Sequence, residues 1–176
     1  HTAIRRQRQM CIRDRYIVPL YTGSSFKKED VIELLNNTWH NFEEQDLIKI
    51  TQIKQSTSIL ELYHGPTAAF KDFGLQLAAA FFNKTLQTQN KTAIVFGATS
   101  GDTGSAAIDA CKDFEVIKSF ILIPHGNMSE IQRKQMTTVQ SPNVHPIIVD
   151  GTFDDCQDIV KNGFKQRSFL KKNQYL

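Results

Sequence analysis

The stretch TAIVFGATSGDTGSAA, residues 92–107, places an uncharged apolar segment directly before a loop of small residues and the start of a helix. An apolar run of this length, rich in β-branched side chains, is typical of a strand that is covered on both faces. The loop SGDTG at 100–104 follows it, and alanine-rich sequence then favours a helix. Ligands of open α/β sheets bind at the carboxyl ends of the strands, so this segment predicts both a fold class and a binding loop.

The sequence after this loop repeats the alternation of strand and helix. The segments VIKSFILIP (116–124) and NVHPIIVD (143–150) read as two more buried strands. MSEIQRKQMTTV (128–139) reads as a helix with Ser129 as its N-cap, and the amphipathic stretch 151–172 reads as another helix. The pattern predicts the α/β class, with a parallel sheet and flanking helices.

The sequence before residue 58 is less regular, and we expect a small N-terminal region over 16–57. YIVPLYT (16–22) reads as a short strand or extended segment, and SSFKKEDVIELLNNTWHNF (24–42) reads as a helix. The segment DLIKITQIKQSTS (46–58) fits a helix or a strand equally well.

The charge distribution argues against a nucleic-acid partner. The formal net charge is +3, but residues 1–15 contain five arginines against one aspartate, so the rest of the chain is close to neutral. This basic arm shows no apolar periodicity, and we expect it to be non-native or disordered. A nucleic-acid surface needs basic residues spread over a folded face.

Other compositional features predict a cytoplasmic protein without a membrane span or a metal site. No segment approaches the roughly 18 consecutive apolar residues of a membrane-spanning helix. The three cysteines are odd in number and widely spaced, which fits small buried side chains in a reducing compartment rather than disulfides or a metal pair: Cys11, Cys111 and Cys156.

The loop at 100–104 lacks the known nucleotide-binding patterns. Gly97 and Gly101 are separated by three residues and no lysine follows, so a Walker loop is excluded, and Thr99 stands where a dinucleotide fingerprint needs glycine. A helix N-terminus still favours anions, so we expect either an anion site or a turn without a ligand. Asp102 argues against a bare phosphate, because like charges repel at short range.

Lys71 stands at an unusual place, in LYHGPTAAFKDFG (62–74), where a loop meets a helix predicted over 72–86. The helix dipole and the flanking residues Phe70 and Phe73 would favour a neutral amine, which is a nucleophile that can form a Schiff base. Asp72 opposes this effect and suits an ordinary surface ion pair.

Four segments resemble threonine synthases, which are pyridoxal-phosphate enzymes of the tryptophan-synthase-β-like fold (fold type II). They are ELYHGPTAAFKDFGLQ (61–76), FGATSGDTGSAA (96–107), IPHGNMSEIQRKQMTT (123–138) and VDGTFDDCQDIVK (149–161). The resemblance spans roughly residues 58–165.

The resemblance implies a role for Lys71 and for the loop. Lys71 would carry pyridoxal 5'-phosphate as a Schiff base and shuttle protons. The loop would face the cofactor ring and the substrate carboxylate through Ser100, Gly101, Asp102, Thr103 and Gly104. Many relatives have asparagine where this sequence has Asp102. For His64 two roles stay open: it helps to shape the cofactor site, or it is a structural residue.

The implied reaction is the conversion of O-phospho-L-homoserine and water to L-threonine and phosphate, a lyase reaction of threonine biosynthesis. The family continues beyond this sequence, so we expect 58–176 to be an incomplete catalytic domain, inactive in isolation. The alternatives are another fold-type-II enzyme, such as a serine/threonine dehydratase or a cysteine synthase, or a non-catalytic α/β fragment that binds an anion.

Overall fold

The computed structural model describes residues 16–43, 47–126 and 128–166 of the chain. The chain divides into two compact units, His1–Ala80 and Phe81–Leu176.

The first unit begins with helical structure. Residues 16–22 form helix α1, which continues as a 3₁₀ turn at Gly23–Ser25 and is followed by helix α2, Lys28–Thr38. The extended segment predicted over 16–22 is therefore wrong. Its large apolar side chains also follow the helical spacing of three and four residues, which a window of seven residues cannot distinguish from a strand. Val31 and Leu35 of α2 are buried one turn apart, as an amphipathic helix requires.

The ambiguous segment before residue 58 forms half of a β-hairpin. Strand β1, Lys49–Lys54, pairs antiparallel with strand β2, Thr57–Glu61, and Ile50 lies opposite Leu60. The pairing partner decides this conformation, because isolated propensity leaves the segment undetermined.

Helix α3, Lys71–Thr88, follows the loop after β2 and crosses the boundary between the units. The sequence predicted its start one residue later and its end two residues earlier.

The second unit is built around a parallel sheet. Strands β3 (Ala93–Ala98), β4 (Ile117–Pro124) and β5 (Val144–Val149) pair in the order β3-β4-β5. Helix α4 (Asp102–Cys111) joins β3 to β4, and helix α5 (Glu130–Thr137) joins β4 to β5. The predicted α/β class and its parallel sheet are confirmed.

Helix α6, Phe153–Lys165, follows β5 and has a capping box at Thr152 and Asp155. At α5, Ser129 is the N-cap that the sequence predicted, and its hydroxyl accepts a hydrogen bond from the Gln132 amide.

Helices cover the sheet on both faces. On one face, β4 packs Ile121 and Ile123 in a buried cluster with Ile108 of α4 and Met136 of α5. Side chains alternate along a strand, so Phe96, which is in register with Phe120, lies on the opposite face. The ring of Phe96 packs there against Phe164 of α6, with centroids 6.1 Å apart.

Three further findings concern the described residues only. None of the described helices combines the length and the apolar composition that a membrane span requires. Across the same ranges, no three His, Cys, Asp or Glu side chains come together as a possible metal site. Cys111 and Cys156 are buried free thiols, and burial raises the pKa of Cys111 to about 11. Cys11 and the whole 1–15 arm lie outside the described residues.

Candidate functional site

Lys71 is the first residue of α3, and its side chain is half-buried. Its Nζ atom lies 4.5 Å from the centroid of the Phe70 ring, whose face attracts an ammonium group. Phe70 is 60% exposed, so the ring that Nζ approaches lies at the protein surface. Phe73, which the sequence placed against the amine, packs its ring edge-on to Phe42 at a centroid distance of 4.9 Å. The helix start therefore presents a partly accessible primary amine, as covalent attachment of an aldehyde cofactor requires.

Asp72 holds the loop that presents Lys71. Its side chain is fully buried, and its carboxylate accepts hydrogen bonds from the Thr67 N–H at 2.9 Å and the Thr67 hydroxyl at 2.6 Å. Gly65 lies against the same carboxylate, because a Cβ atom there would be 2.5 Å from Asp72 Oδ2. The surface ion pair that the sequence predicted for Asp72 is therefore wrong. The position of Asp72 in the first turn of the predicted helix could have indicated a structural role, because the helix dipole favours a carboxylate there.

Glu61 and His64 form a polar cluster directly before this loop. Thr51 donates its hydroxyl hydrogen bond to Glu61, and Nε2 of His64 lies 2.8 Å from Glu61 Oε2. Because an ionised carboxylate only accepts hydrogen bonds, Nε2 carries the proton. The bonds from Thr51 and His64 lower the pKa of Glu61 from 4.5 to about 2. His64 thus ties the loop to the end of β2, which is a structural role.

The stability of the protein is expected to depend on the ionisation of Glu61. Its folded pKa lies below the ordinary value, so the stabilisation is complete above about pH 4.5 and is lost as the pH falls toward about 2. Glu61→Gln should lower the melting temperature at neutral pH, and the gap from the wild type should narrow as the pH falls. Thermal unfolding across this range tests it, with the exposed Glu115→Gln as the control. A gap that stays constant with pH would contradict the prediction.

In the second unit, Thr99 organises the segment 100–104. The sequence predicted this whole segment as a loop, but its last three residues form the first turn of α4, so the loop proper is Ser100 and Gly101. The segment keeps the name of the 100–104 loop below. Its hydroxyl oxygen accepts hydrogen bonds from the N–H groups of Gly101 at 3.2 Å and Gly104 at 3.0 Å. Thr99 is 4% exposed, and it was not among the site residues that the sequence predicted. Since these two N–H groups are bonded within the loop, an anion would be held by other groups. Ser100 and Thr103 are exposed and offer hydroxyls, and Asp102 is half-buried beside them.

The two glycines of the loop serve different purposes. A Cβ atom at Gly104 would lie 2.2 Å from Thr99 Cγ2 and 2.8 Å from Met136 Sδ, so α4 can approach its neighbours only without a side chain there. At Gly101 the nearest atom would be Nε2 of Gln132 at 3.2 Å, the end of a flexible side chain.

Gly104→Ala is expected to destabilise the protein by about 3 kcal/mol, because overpacking of this severity has no room to relax. Gly74→Ala is the matched control, since its Cβ atom would meet nothing within 4 Å in α3. It should stabilise the protein by about 0.5–1 kcal/mol through helix propensity. Denaturant unfolding of both variants measures the difference, and an equal effect at the two sites would show that packing at Gly104 is unimportant.

Comparison with known proteins shows the family to which the chain belongs. Residues 49–176 match the family model described as pyridoxal-phosphate dependent enzyme. The threonine synthase of Pseudomonas aeruginosa is 41% identical over 151 residues, which cover 86% of this chain and 32% of that protein. The threonine synthase of Saccharomyces cerevisiae is 44% identical over 154 residues, which cover 82% of this chain and 30% of that protein.

Solved structures show the same likeness. The crystal structure of pyridoxal-phosphate-bound threonine synthase from Brucella melitensis superposes with a TM-score of 0.87 at 35% identity, covering 92% of this chain and 35% of that one. The threonine synthase from yeast gives a TM-score of 0.86 at 38% identity, covering 94% of this chain and 34% of that one.

The chain spans about a third of the length of the curated relatives that it matches. The family model covers well over half of the chain, and the half-buried amine of Lys71 at a helix start suits an aldehyde cofactor. The chain belongs to the pyridoxal-phosphate dependent enzyme family, and its cofactor is pyridoxal phosphate.

Proposed function

We propose that the chain is part of a threonine synthase, which converts O-phospho-L-homoserine and water to L-threonine and phosphate. The observation that carries this proposal is the 41–44% sequence identity between this chain and threonine synthases over most of the chain. The likeness to solved threonine synthases at TM-scores of 0.86–0.87 supports it.

The proposal gives Lys71 the central role. Its Nζ atom would hold the cofactor covalently, and the same atom would move protons to and from the substrate as general base and acid. When bound, pyridoxal phosphate supplies the electron sink for carbanions formed on the substrate. Asp72 and Thr67 keep the loop before Lys71 in one conformation, so the amine does not have to be ordered at each turnover.

The proposal gives the loop at 100–104 the task of binding cofactor and substrate. The exposed hydroxyls of Ser100 and Thr103 are suited to donate hydrogen bonds to anionic groups, while Gly101 and Gly104 keep the backbone close to Thr99. Asp102 accepts hydrogen bonds from donor groups. In the reaction, phosphate leaves the substrate and water supplies the new hydroxyl group.

We also propose a cytoplasmic location and a small-molecule substrate, O-phospho-L-homoserine, rather than a nucleic-acid partner. The near-neutral charge beyond residue 15 and the free buried thiols of Cys111 and Cys156 support this.

The test uses protein made from the complete reading frame that contains these 176 residues, loaded with pyridoxal phosphate. We expect equal amounts of phosphate and threonine from O-phospho-L-homoserine. Parallel assays with L-serine, L-threonine, and O-acetylserine with sulfide separate a dehydratase and a cysteine synthase. Keto acid or cysteine as the main product, with no phosphate release from O-phospho-L-homoserine, would overturn the proposal.

A further inference from the structure

Gln132 of α5 reaches the candidate cofactor loop from thirty residues away. Its amide nitrogen Nε2 donates a hydrogen bond to Oδ1 of Asp102 at 3.3 Å, and both residues belong to the second unit. The loop and α5 are thus joined by side chains that no sequence motif pairs.

The orientation of the Gln132 amide follows from its second partner. The Ser129 hydroxyl accepts the Gln132 backbone N–H at 3.3 Å, so its own hydrogen is directed to Gln132 Oε1 at 3.1 Å. With Oε1 occupied by a donor, Nε2 is the end that faces Asp102. The N-cap of α5 therefore sets the direction of the hydrogen bond to the loop.

The backbone of the loop is contacted by two side chains, those of Thr99 and Gln132. Thr99 bonds the N–H groups of Gly101 and Gly104 from the end of β3. The Gln132 amide approaches Gly101 closely, because a Cβ atom built on Gly101 would lie 3.2 Å from Gln132 Nε2. A small residue at Gly101 thus lets Gln132 reach past the backbone to Asp102.

We propose that Gln132 is a positioning residue, which holds Asp102 as a hydrogen-bond acceptor for a donor group of the bound ligand. The Gln132 amide donates to the Asp102 carboxylate without adding a charge of its own, so the only formal charge of this pair is that of Asp102. Like charges repel at short range, so the Asp102 side of the loop meets a hydroxyl or ammonium group of cofactor or substrate, and not a phosphate or carboxylate. This inference rests on the proposed function only in taking the loop as part of the cofactor site.

The test replaces the hydrogen-bond donor at residue 132 by an acceptor and measures the affinity for pyridoxal phosphate by absorbance titration. Gln132→Glu keeps the size but faces Asp102 with a second carboxylate, and we expect the affinity to fall by about tenfold. In an Asp102→Asn background, the new amide can donate to Glu at 132, and the same change should then cost less than about threefold. Gln140→Glu adds the same charge at an exposed position and should leave the affinity unchanged.

A second variant separates a loss of cofactor binding from a loss of folding stability. Gln132→Met has a similar length and no hydrogen bonds, and we expect it to weaken cofactor binding while the melting temperature of the cofactor-free protein stays within about 3 °C. Equal losses of affinity for Gln132→Glu in the Asp102 and Asn backgrounds, or no loss in either, would overturn the inference. If the loss of affinity depends on the residue at position 102 but O-phospho-L-homoserine is not turned over, the proposed function is rejected and the inference about Gln132 is kept. If O-phospho-L-homoserine is turned over but the loss does not depend on residue 102, the inference is rejected and the proposed function is kept.

Discussion

Lys71→Ala is expected to abolish the covalent attachment of pyridoxal phosphate that borohydride makes permanent. An alanine has no amine to condense with the aldehyde, and the nucleophile that stands at the start of α3 is lost. Turnover should fall to background with it, since the same Nζ atom is the proposed general base. Mass spectrometry of peptides from the reduced protein measures the attachment directly.

The control for this experiment is Lys91→Ala, which removes an exposed lysine after α3. It should leave both the attachment and the turnover unchanged. If the cofactor remained attached to another lysine in Lys71→Ala at the wild-type stoichiometry, the assignment of Lys71 would be wrong.

Asp72→Ala is expected to destabilise the protein by about 3 kcal/mol and to disorder the loop before Lys71. The change leaves the buried N–H and hydroxyl of Thr67 without the carboxylate that accepts from both. Asp72→Asn should cost less, because the amide oxygen can accept from the Thr67 N–H while the amide NH₂ group donates to the Thr67 hydroxyl oxygen. Gly65→Ala should be harmful for the same reason as Asp72→Ala, since its Cβ atom would overlap the carboxylate.

Denaturant unfolding and limited proteolysis of the loop measure these effects. Thr67→Ser is the control, because it keeps both donors to Asp72 and removes only a methyl group. A loss below about 0.5 kcal/mol in Asp72→Ala, which is the range of ordinary surface changes, would show that Asp72 does not hold the loop.

Most of the elements that the sequence predicts for the second unit are confirmed, although α4 begins at Asp102, inside the predicted loop. The three strands begin and end within one residue of the predicted bounds, and Ser129 is the N-cap of α5. Buried parallel strands carry long apolar runs, and N-caps use a few residue types, so local sequence is sufficient there. The first unit was predicted less well, because its short segments at 16–22 and 46–58 fit more than one conformation.

The sequence by itself determined the α/β class, the position of Lys71 at a helix start, and the small-residue loop after β3. Each of these depends on the order of residue types over a few positions, which chain periodicity and turn chemistry translate directly into structure. The tertiary structure alone decided that Asp72 is buried on Thr67, that Gly104 is needed for packing against Met136, and that Gln132 holds Asp102. These contacts join residues whose distance in space is set by helix packing and loop geometry, and the spacing of residues along the chain carries no information about it.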